Sequence, residues 1–223
     1  DMLAWLYDED RWASGTAGGK VTADVHFQRR RLFLSREDRA SALGKEEALA
    51  KGEPYFLAAY DVTVAEDGYL ADFHRIARDA AAKGTKWYAF VVNDAPTSWF
   101  NNAPYLDIMD RETVATFIRI THERYKETVG DLFDTTVPAI FSDEPNVQES
   151  ESHSIPDPQF VGDIVIGWSR YFEEAYEKAY GESLLDRLPE LFWLKRDSSD
   201  RLTKYRFFDL RAALFSENYC GQI

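Results

Sequence analysis

Residues 137–146 read VPAIFSDEPN, and this stretch decides the predicted fold. Its first half is short, apolar and partly β-branched, which is typical of a strand buried on both faces. Asp143 and Glu144 follow directly, and Pro145 disfavours helical backbone at Glu144. In sheets built from strand–helix units, the loops at the carboxyl ends of the strands carry the chemistry. We therefore expect both carboxylates in a functional loop; the alternative is a helix N-cap by Asp143 beside a solvated Glu144.

A second acidic strand end lies near the start of the chain. Met2–Tyr7 is apolar and predicts a buried strand, and Asp8, Glu9 and Asp10 follow it. Three adjacent carboxylates repel one another, so they need open solvent or a nearby cation, of which Arg11 is the nearest. The occurrence of this second acidic strand end favours a functional interpretation of the first one.

The loop at residues 12–20 contains three glycines and several other small residues. Glycine permits left-handed backbone and the close approach of a ligand. A phosphate-binding P-loop is excluded, because that motif requires glycine where Ser14 stands and serine or threonine where Val21 stands. We therefore expect no nucleotide cofactor.

Composition bears on several classes of protein. The 223 residues include 39 acidic and 26 basic ones, and the net charge of −13 argues against nucleic acid as a partner. No run approaches the roughly 18 apolar residues of a membrane span, so we expect a soluble chain with no membrane partner, and the cytoplasm is slightly favoured. Cys220 is the only cysteine, which excludes intrachain disulfides and cysteine metal sites. The aromatic content of 15% suits a saccharide partner, because sugar faces stack on rings.

Residues 54–93 predict a small β-rich insertion. Pro54–Val64, Tyr69–Ile76 and Thr85–Asn93 are rich in aromatic and β-branched residues. A tight turn between the first two favours an antiparallel hairpin with a third strand beside it. The alternative is a strand–helix–strand unit in which Ala77–Lys83 is helical.

The loop at residues 94–110 has an unusual content of rings, amides and carboxylates. Long loops without secondary structure inside compact domains tend to be functional. We expect substrate to be bound by side chains of this loop and of the first strand end: Tyr7, Asp10, Trp99, Asn101, Asn102, Tyr105 and Asp107.

Helices are predicted for most of the remaining chain. Asp110 is a candidate N-cap, and Gly130 a candidate C-cap, for a helix over residues 111–129. A zinc-protease motif would need a second histidine at the position of Lys126, so His122 is expected to be an ordinary helix-face histidine. Further helices are predicted at residues 36–51, 160–180, 183–194 and 201–219. The polar segment 149–158 is predicted to be either a lid or disordered.

These elements together predict an α/β fold. We expect a TIM-type (β/α) barrel, partial within residues 1–223, with the antiparallel β insertion at residues 54–93, and we treat 1–223 as one catalytic domain. The chain opens on an apolar strand and ends after a helix, where a barrel would continue with a strand. We therefore expect the natural protein to extend beyond both ends.

Several motifs together resemble one family of enzymes. They are residues 5–10, 14–15, 17–19, 105–107, 117, 122–123, 125, 130, 133 and 141–145. The combination resembles the α-L-rhamnosidase-like glycoside hydrolases of family 106 and their relatives. The resemblance implies a (β/α) barrel within a larger multidomain chain, an acid/base role for Glu144, and a role for calcium in some members. Ala13 departs from the pattern, since the family usually has proline there.

Carboxylate chemistry agrees with this resemblance. Cleaving a glycosidic bond requires one carboxylic acid and one carboxylate base or nucleophile, held a fixed distance apart. We expect Asp143 to favour the protonated form of its neighbour Glu144. Glu144 is then the general acid, and its partner is Glu9 or a carboxylate beyond residue 223. No cofactor is predicted; a weaker alternative is that Asp8, Asp10 and Asp143 bind calcium.

A competing hypothesis is a non-catalytic carbohydrate-binding or interaction module, or an inactive fragment of a larger glycosidase. In that case the acidic strand ends are solvated caps and the aromatic residues are core. The position of the two glutamates distinguishes the hypotheses. Glu9 and Glu144 should open into one cleft at the carboxyl ends of adjacent parallel strands if the chain is a hydrolase.

Overall fold

The computed structural model describes residues 3–10, 13–146 and 159–223. The chain divides into two compact units, whereas the sequence suggested one domain over residues 1–223. The first unit contains Asp1–Arg29, Asn93–Val147 and Leu214–Ile223. The second contains Arg30–Val92 and Gln148–Ala213.

The described residues form seven strands and five α-helices. The strands are β1 (Trp5–Tyr7), β2 (Arg30–Ser35), β3 (Tyr55–Val64), β4 (Leu70–Ile76), β5 (Thr85–Asn93), β6 (Ala139–Phe141) and β7 (Ile164–Trp168). The helices are α1 (Lys45–Lys51), α2 (Arg111–Ile120), α3 (His122–Val129), α4 (Phe172–Tyr180) and α5 (Asp200–Phe215). A π-helical turn, Ser216–Cys220, follows α5.

The first unit is built around the parallel pair β1 and β6. Tyr7 lies opposite Phe141, and the ladder continues beyond the strand because Asp8 N donates to Phe141 O at 3.2 Å. The carboxyl ends of the two strands therefore lie side by side. The buried apolar core of this unit comes from residues outside the two strands: Ala13, Val21, Tyr105, Leu106, Ile108, Val114, Phe117 and Tyr219.

The second unit is built around a five-stranded sheet of order β4-β3-β5-β2-β7. β3 pairs antiparallel with both β4 and β5, which confirms the predicted hairpin and its third strand. β2 and β7 also pair antiparallel and extend the sheet beyond residues 54–93. Aromatic rings from other elements pack in this unit, with the centroid of Phe172 5.0 Å from those of Trp168 and Phe207.

The predicted TIM-type barrel is wrong. In the described part of the chain, β1 and β6 pair in parallel over only three residues each, the larger sheet is mainly antiparallel, and no closed barrel forms. The larger sheet joins β3 to β4 through a short turn, and such a connection permits only antiparallel pairing. The sequence pattern located β1 and β6 but predicted both to be buried, whereas Trp5 is 68% and Phe141 45% exposed, and it missed strand β7.

Two predicted helices also differ from the structure. The segment 160–180 holds strand β7 before α4, because its β-branched run at Ile164–Ile166 pairs with β2. Residues 183–194 form short 3₁₀ turns, Leu184–Asp186 and Leu188–Leu191, instead of an α-helix.

The helix predicted at residues 111–129 is two helices, α2 and α3, which meet at Thr121. Its predicted N-cap is confirmed, since the Asp110 carboxylate accepts hydrogen bonds from Glu112 N at 3.0 Å and from Thr113 Oγ1 at 3.1 Å. The helix predicted at residues 36–51 is shorter than expected but does end at Gly52, which has φ 68°.

Replacing Asp110 tests the start of α2. The variant Asp110→Ala should lower the free energy of unfolding by about 1 kcal/mol, because it leaves helix N–H groups without an acceptor. Urea denaturation measures the loss. Asp110→Asn is the matched control and should lose less, since its amide oxygen remains an acceptor. Equal unfolding free energies for wild type and Asp110→Ala would contradict the cap.

Candidate functional site

The two acidic segments lie at the same end of adjacent parallel strands. Asp8, Glu9 and Asp10 follow β1, and Asp143 and Glu144 come shortly after β6. The hydrolase hypothesis requires two conditions, and the first is that the two acidic segments follow adjacent parallel strands. The second condition, one cleft shared by the two glutamates, depends on the side chains.

Glu9 is buried, and its carboxylate is enclosed by the glycine-containing loop. Both of its oxygens accept hydrogen bonds, and every donor is within residues 10–18. The donors are Asp10 N at 3.1 Å, Gly15 N at 3.2 Å, Thr16 Oγ1 at 3.1 Å, Ala17 N at 2.6 Å and Gly18 N at 2.9 Å. Glu9 therefore holds the loop in place, and its oxygens are engaged within the chain.

Burial and these hydrogen-bond donors have opposite effects on the pKa of Glu9. Burial raises the pKa of the Glu9 carboxyl, and the neighbouring Asp10 carboxyl adds to the rise. The N–H groups of Gly18, Asp10 and Ala17 lower it. The five donors favour the ionised carboxylate, whereas burial and the Asp10 carboxyl favour the protonated form and keep the pKa of Glu9 above its ordinary value.

Gly15 is required by this loop for two reasons. Its φ of +138° is a conformation that side chains with a Cβ rarely adopt. A Cβ at this position would also lie 2.2 Å from Leu106 Cδ2 in the core. The glycines that the sequence suggested for ligand approach thus also serve the packing of the loop on its own unit.

Ser14 connects the two strand ends. Its hydroxyl donates to Asp8 Oδ1 at 2.6 Å and accepts from Asp143 N at 2.7 Å, and its N–H donates to Asp143 O at 2.8 Å. The second oxygen of Asp8 lies 3.2 Å from His122 Nε2 on α3. Asp8 is buried, and among the described residues His122 is the basic side chain within ion-pair distance of it.

Tyrosine hydroxyls extend the same network. Tyr105 is buried and donates to Ser14 O at 2.6 Å, while it accepts from Asn146 N at 3.0 Å. Tyr125 on α3 donates to Tyr7 O at 2.7 Å. Tyr7 donates to Asp143 Oδ2 at 3.4 Å. These bonds fix the backbone around both acidic segments.

A cleft of about 770 Å³ opens beside the first acidic segment. Its walls come from the end of β1, the loop after it, Asn101, and α2 and α3. The cleft gathers four of the predicted site residues: Tyr7, Glu9, Asp10 and Asn101. Its other linings include Lys20, Arg124 and Tyr125, which the sequence analysis did not select.

The remaining predicted substrate residues lie elsewhere. Tyr105 and Asp107 are buried and structural, and Asp107 Oδ1 accepts from Met109 N at 3.2 Å. Trp99 is 64% exposed, and Asn102 is exposed. In the described part of the chain, none of these four side chains lines the cleft.

Glu144 is exposed and has a positive φ of 38° immediately before Pro145. Its carboxylate forms no hydrogen bond with a described residue, so it is free to act on a ligand. Among the described residues, neither Glu144 nor Asp143 lines the cleft. The two predicted glutamates therefore follow adjacent strands, but only Glu9 borders this cleft.

Two of the three residues offered as an alternative calcium site are hydrogen-bonded within the chain. Asp8 and Asp143 both bond to Ser14, and Asp10 is exposed at the cleft. Within residues 3–10, 13–146 and 159–223, no three His, Cys, Asp or Glu side chains are arranged to hold a metal ion. The predicted counter-ion Arg11 and the predicted lid at residues 149–158 lie outside the described residues.

Sequence reasoning missed Ser14, His122 and the cleft cations. Ser14 was noted as a break in the P-loop motif and as part of the family resemblance, but not as a carboxylate partner, although a small hydroxyl residue in a loop after an acidic strand end is a signal for one. His122 was treated as a helix-face residue, and only the tertiary fold brings it to Asp8. Lys20 and Arg124 gave no local signal.

No protein-family model, curated protein or solved structure matches this chain. The resemblance to α-L-rhamnosidase-like hydrolases therefore remains a prediction. Among the described residues, no helix has the length and apolar character needed to cross a bilayer.

The loop-holding role of Glu9 is tested by Glu9→Gln. The glutamine NH₂ group cannot accept, so at least two buried N–H donors lose their acceptor, and the free energy of unfolding should fall by about 2 kcal/mol. Chemical denaturation measures it. Asp10→Asn is the matched control, since the same change at an exposed neighbour should cost less than about 0.5 kcal/mol. Equal losses in the two variants would rule out the role.

Tyr7 reports the electrostatics of the site. Burial raises the pKa of Tyr7 to about 12, and the Asp143 carboxylate adds to the rise. The ultraviolet difference titration between wild type and Tyr7→Phe should show a phenol that ionises near that value, provided circular dichroism shows the fold intact. In Asp143→Asn the midpoint should move down, because one anion beside the phenolate is gone. An unchanged midpoint would exclude the contact.

Proposed function

We propose that this chain is part of a glycoside hydrolase in which Glu144 supplies acid/base catalysis. The observation that carries the proposal is the parallel register of β1 and β6, in which Tyr7 faces Phe141 and an acidic segment follows each strand. Glycosidic bond cleavage requires two carboxyl groups on either side of the scissile bond, and neighbouring strand ends are one way to bring such groups near each other.

The cleft has the features of a saccharide site. The rings of Tyr7 and Tyr125 offer apolar faces for stacking, and their hydroxyls are already oriented by bonds within the chain. Asp10 and Asn101 supply an acceptor and an amide for sugar hydroxyls. The lining combines polar and apolar side chains, which suits a ligand with both hydroxyl groups and apolar faces.

The three predicted catalytic carboxylates take different roles in this proposal. Glu144 is exposed and unbonded to the described residues, which suits an acid that must exchange protons with substrate. Asp143 is tied to Tyr7 and Ser14 and positions that segment. Glu9 holds the loop that forms one cleft wall. The second reacting carboxylate is then Asp143 or a group outside the described residues.

A non-catalytic saccharide-binding module is the second candidate. It is favoured by the engagement of both Glu9 oxygens and by the absence of Glu144 from the cleft lining among the described residues. Such a module would use the same rings and polar groups but cleave nothing.

Hydrolysis of aryl glycosides tests the proposal, with the α-L-rhamnoside assayed first. The Glu144→Gln variant should lose at least about 100-fold in kcat, because the acid is removed. Its thermal midpoint should not change, since the side chain is exposed and forms no bond with the described residues. Glu123→Gln, which alters an exposed glutamate on α3, is the control and should keep full activity.

Undiminished turnover in Glu144→Gln would remove the catalytic assignment. Saccharide binding without hydrolysis of any glycoside by the wild-type protein would favour the non-catalytic module instead. Failure to bind or cleave any saccharide would contradict both candidates.

A further inference from the structure

The acidic side chains that border the cleft are mostly engaged within the protein. Asp8 is bonded to Ser14 and lies against His122, and Glu9 is surrounded by its five donors. Both are buried. Of these three residues only Asp10 is exposed at the cleft. A ligand in the cleft therefore meets fewer negative charges than the three consecutive acidic residues in the sequence suggest.

Two cations border the same cleft. Lys20 follows the glycine-containing loop and Arg124 lies on α3, and both side chains are exposed. Neither forms an ion pair or a hydrogen bond through its side chain with any described residue. Glu127 lies three residues further along the same helix, but Arg124 forms no ion pair with it. The Arg124 side chain borders the cleft instead.

The position of these two cations at the cleft distinguishes them, since exposed Lys126 on the same helix also forms no ion pair with a described residue. The chain carries a net charge of −13, so carboxylate partners are plentiful, and many of its cations use them. Lys45 lies 2.9 Å from Glu173, Arg75 lies 2.8 Å from Asp186, and Arg78 lies 2.6 Å from Asp38. Lys20 and Arg124 instead line the cleft and pair with no described carboxylate.

We propose that the cleft takes an acidic saccharide, a glycan containing a uronic acid whose carboxylate is bound by Lys20 and Arg124. This inference rests on the proposed function, because it assumes that the ligand is a saccharide. Arg124 matches a carboxylate with two parallel N–H donors, and Lys20 adds a mobile point charge. The rings of Tyr7 and Tyr125 stack against the sugar face, and Asp10 accepts from sugar hydroxyls.

Isothermal titration calorimetry with three probes tests this specificity. They are a short oligogalacturonide, its methyl ester and a neutral oligosaccharide of the same length. The acid should bind at least about tenfold more tightly than its ester, since esterification removes the charge while it keeps the shape. Its affinity should fall as salt is added, because the two cations are exposed.

Two variants and a matched control locate the effect. Arg124→Gln and Lys20→Gln should each weaken binding of the acid about five- to tenfold and leave the methyl ester unaffected. Lys126→Gln makes the same change of charge on the same helix α3, at an exposed position that is not part of the described cleft lining, and should bind the acid as wild type does.

The outcomes separate this inference from the proposed function. Equal affinity for acid and ester, or for wild type and both cleft variants, would overturn the acidic specificity while saccharide binding stands. An equal loss in Lys126→Gln would show that net charge alone acts, and would also overturn it. Absence of binding or hydrolysis with every saccharide would contradict the proposed function, and this inference with it.

Discussion

The first unit depends on a buried anion held by the backbone of its own loop. Glu9 accepts five hydrogen bonds from residues 10–18, four of them from main-chain N–H groups. Burying a carboxylate is costly unless donors replace the lost water, and a run of converging amides supplies them. The backbone can converge in this way because Gly15 and Gly18 adopt positive φ values. The conformation of the loop and the burial of the Glu9 carboxylate therefore depend on each other.

Ser14 links the loop that Glu9 organises to the second acidic segment. The serine lies in the loop that Glu9 organises, and its hydroxyl touches Asp8 on one side and Asp143 N on the other. Buried networks of this kind rigidify a site when every member is satisfied. The buried carboxylates Asp8 and Glu9 are thus engaged in holding the loop and the two strand ends together, whereas Asp10, Glu144 and Arg124 are exposed.

Local chemistry explains what the sequence could predict. The cap at Asp110, the end of α1 at Gly52 and the hairpin of β3 and β4 each depend on residues close together in the chain. The barrel prediction is wrong because strand pairing joins residues that are far apart in the sequence. The composition of an apolar run does not identify the strand with which it pairs. The adjacency of the acidic strand ends was anticipated, but the engagement of Glu9 was not, because its donors are backbone groups whose direction depends on the fold.

Amide hydrogen exchange followed by nuclear magnetic resonance tests the central claim most directly. The N–H groups of Gly15, Ala17 and Gly18 sit in a loop, where rapid exchange is the ordinary expectation. If they are bonded to Glu9, they should be protected to a degree comparable with the strand amides of β1 and β6. Exchange of all three at the rate of an unstructured peptide would contradict the account.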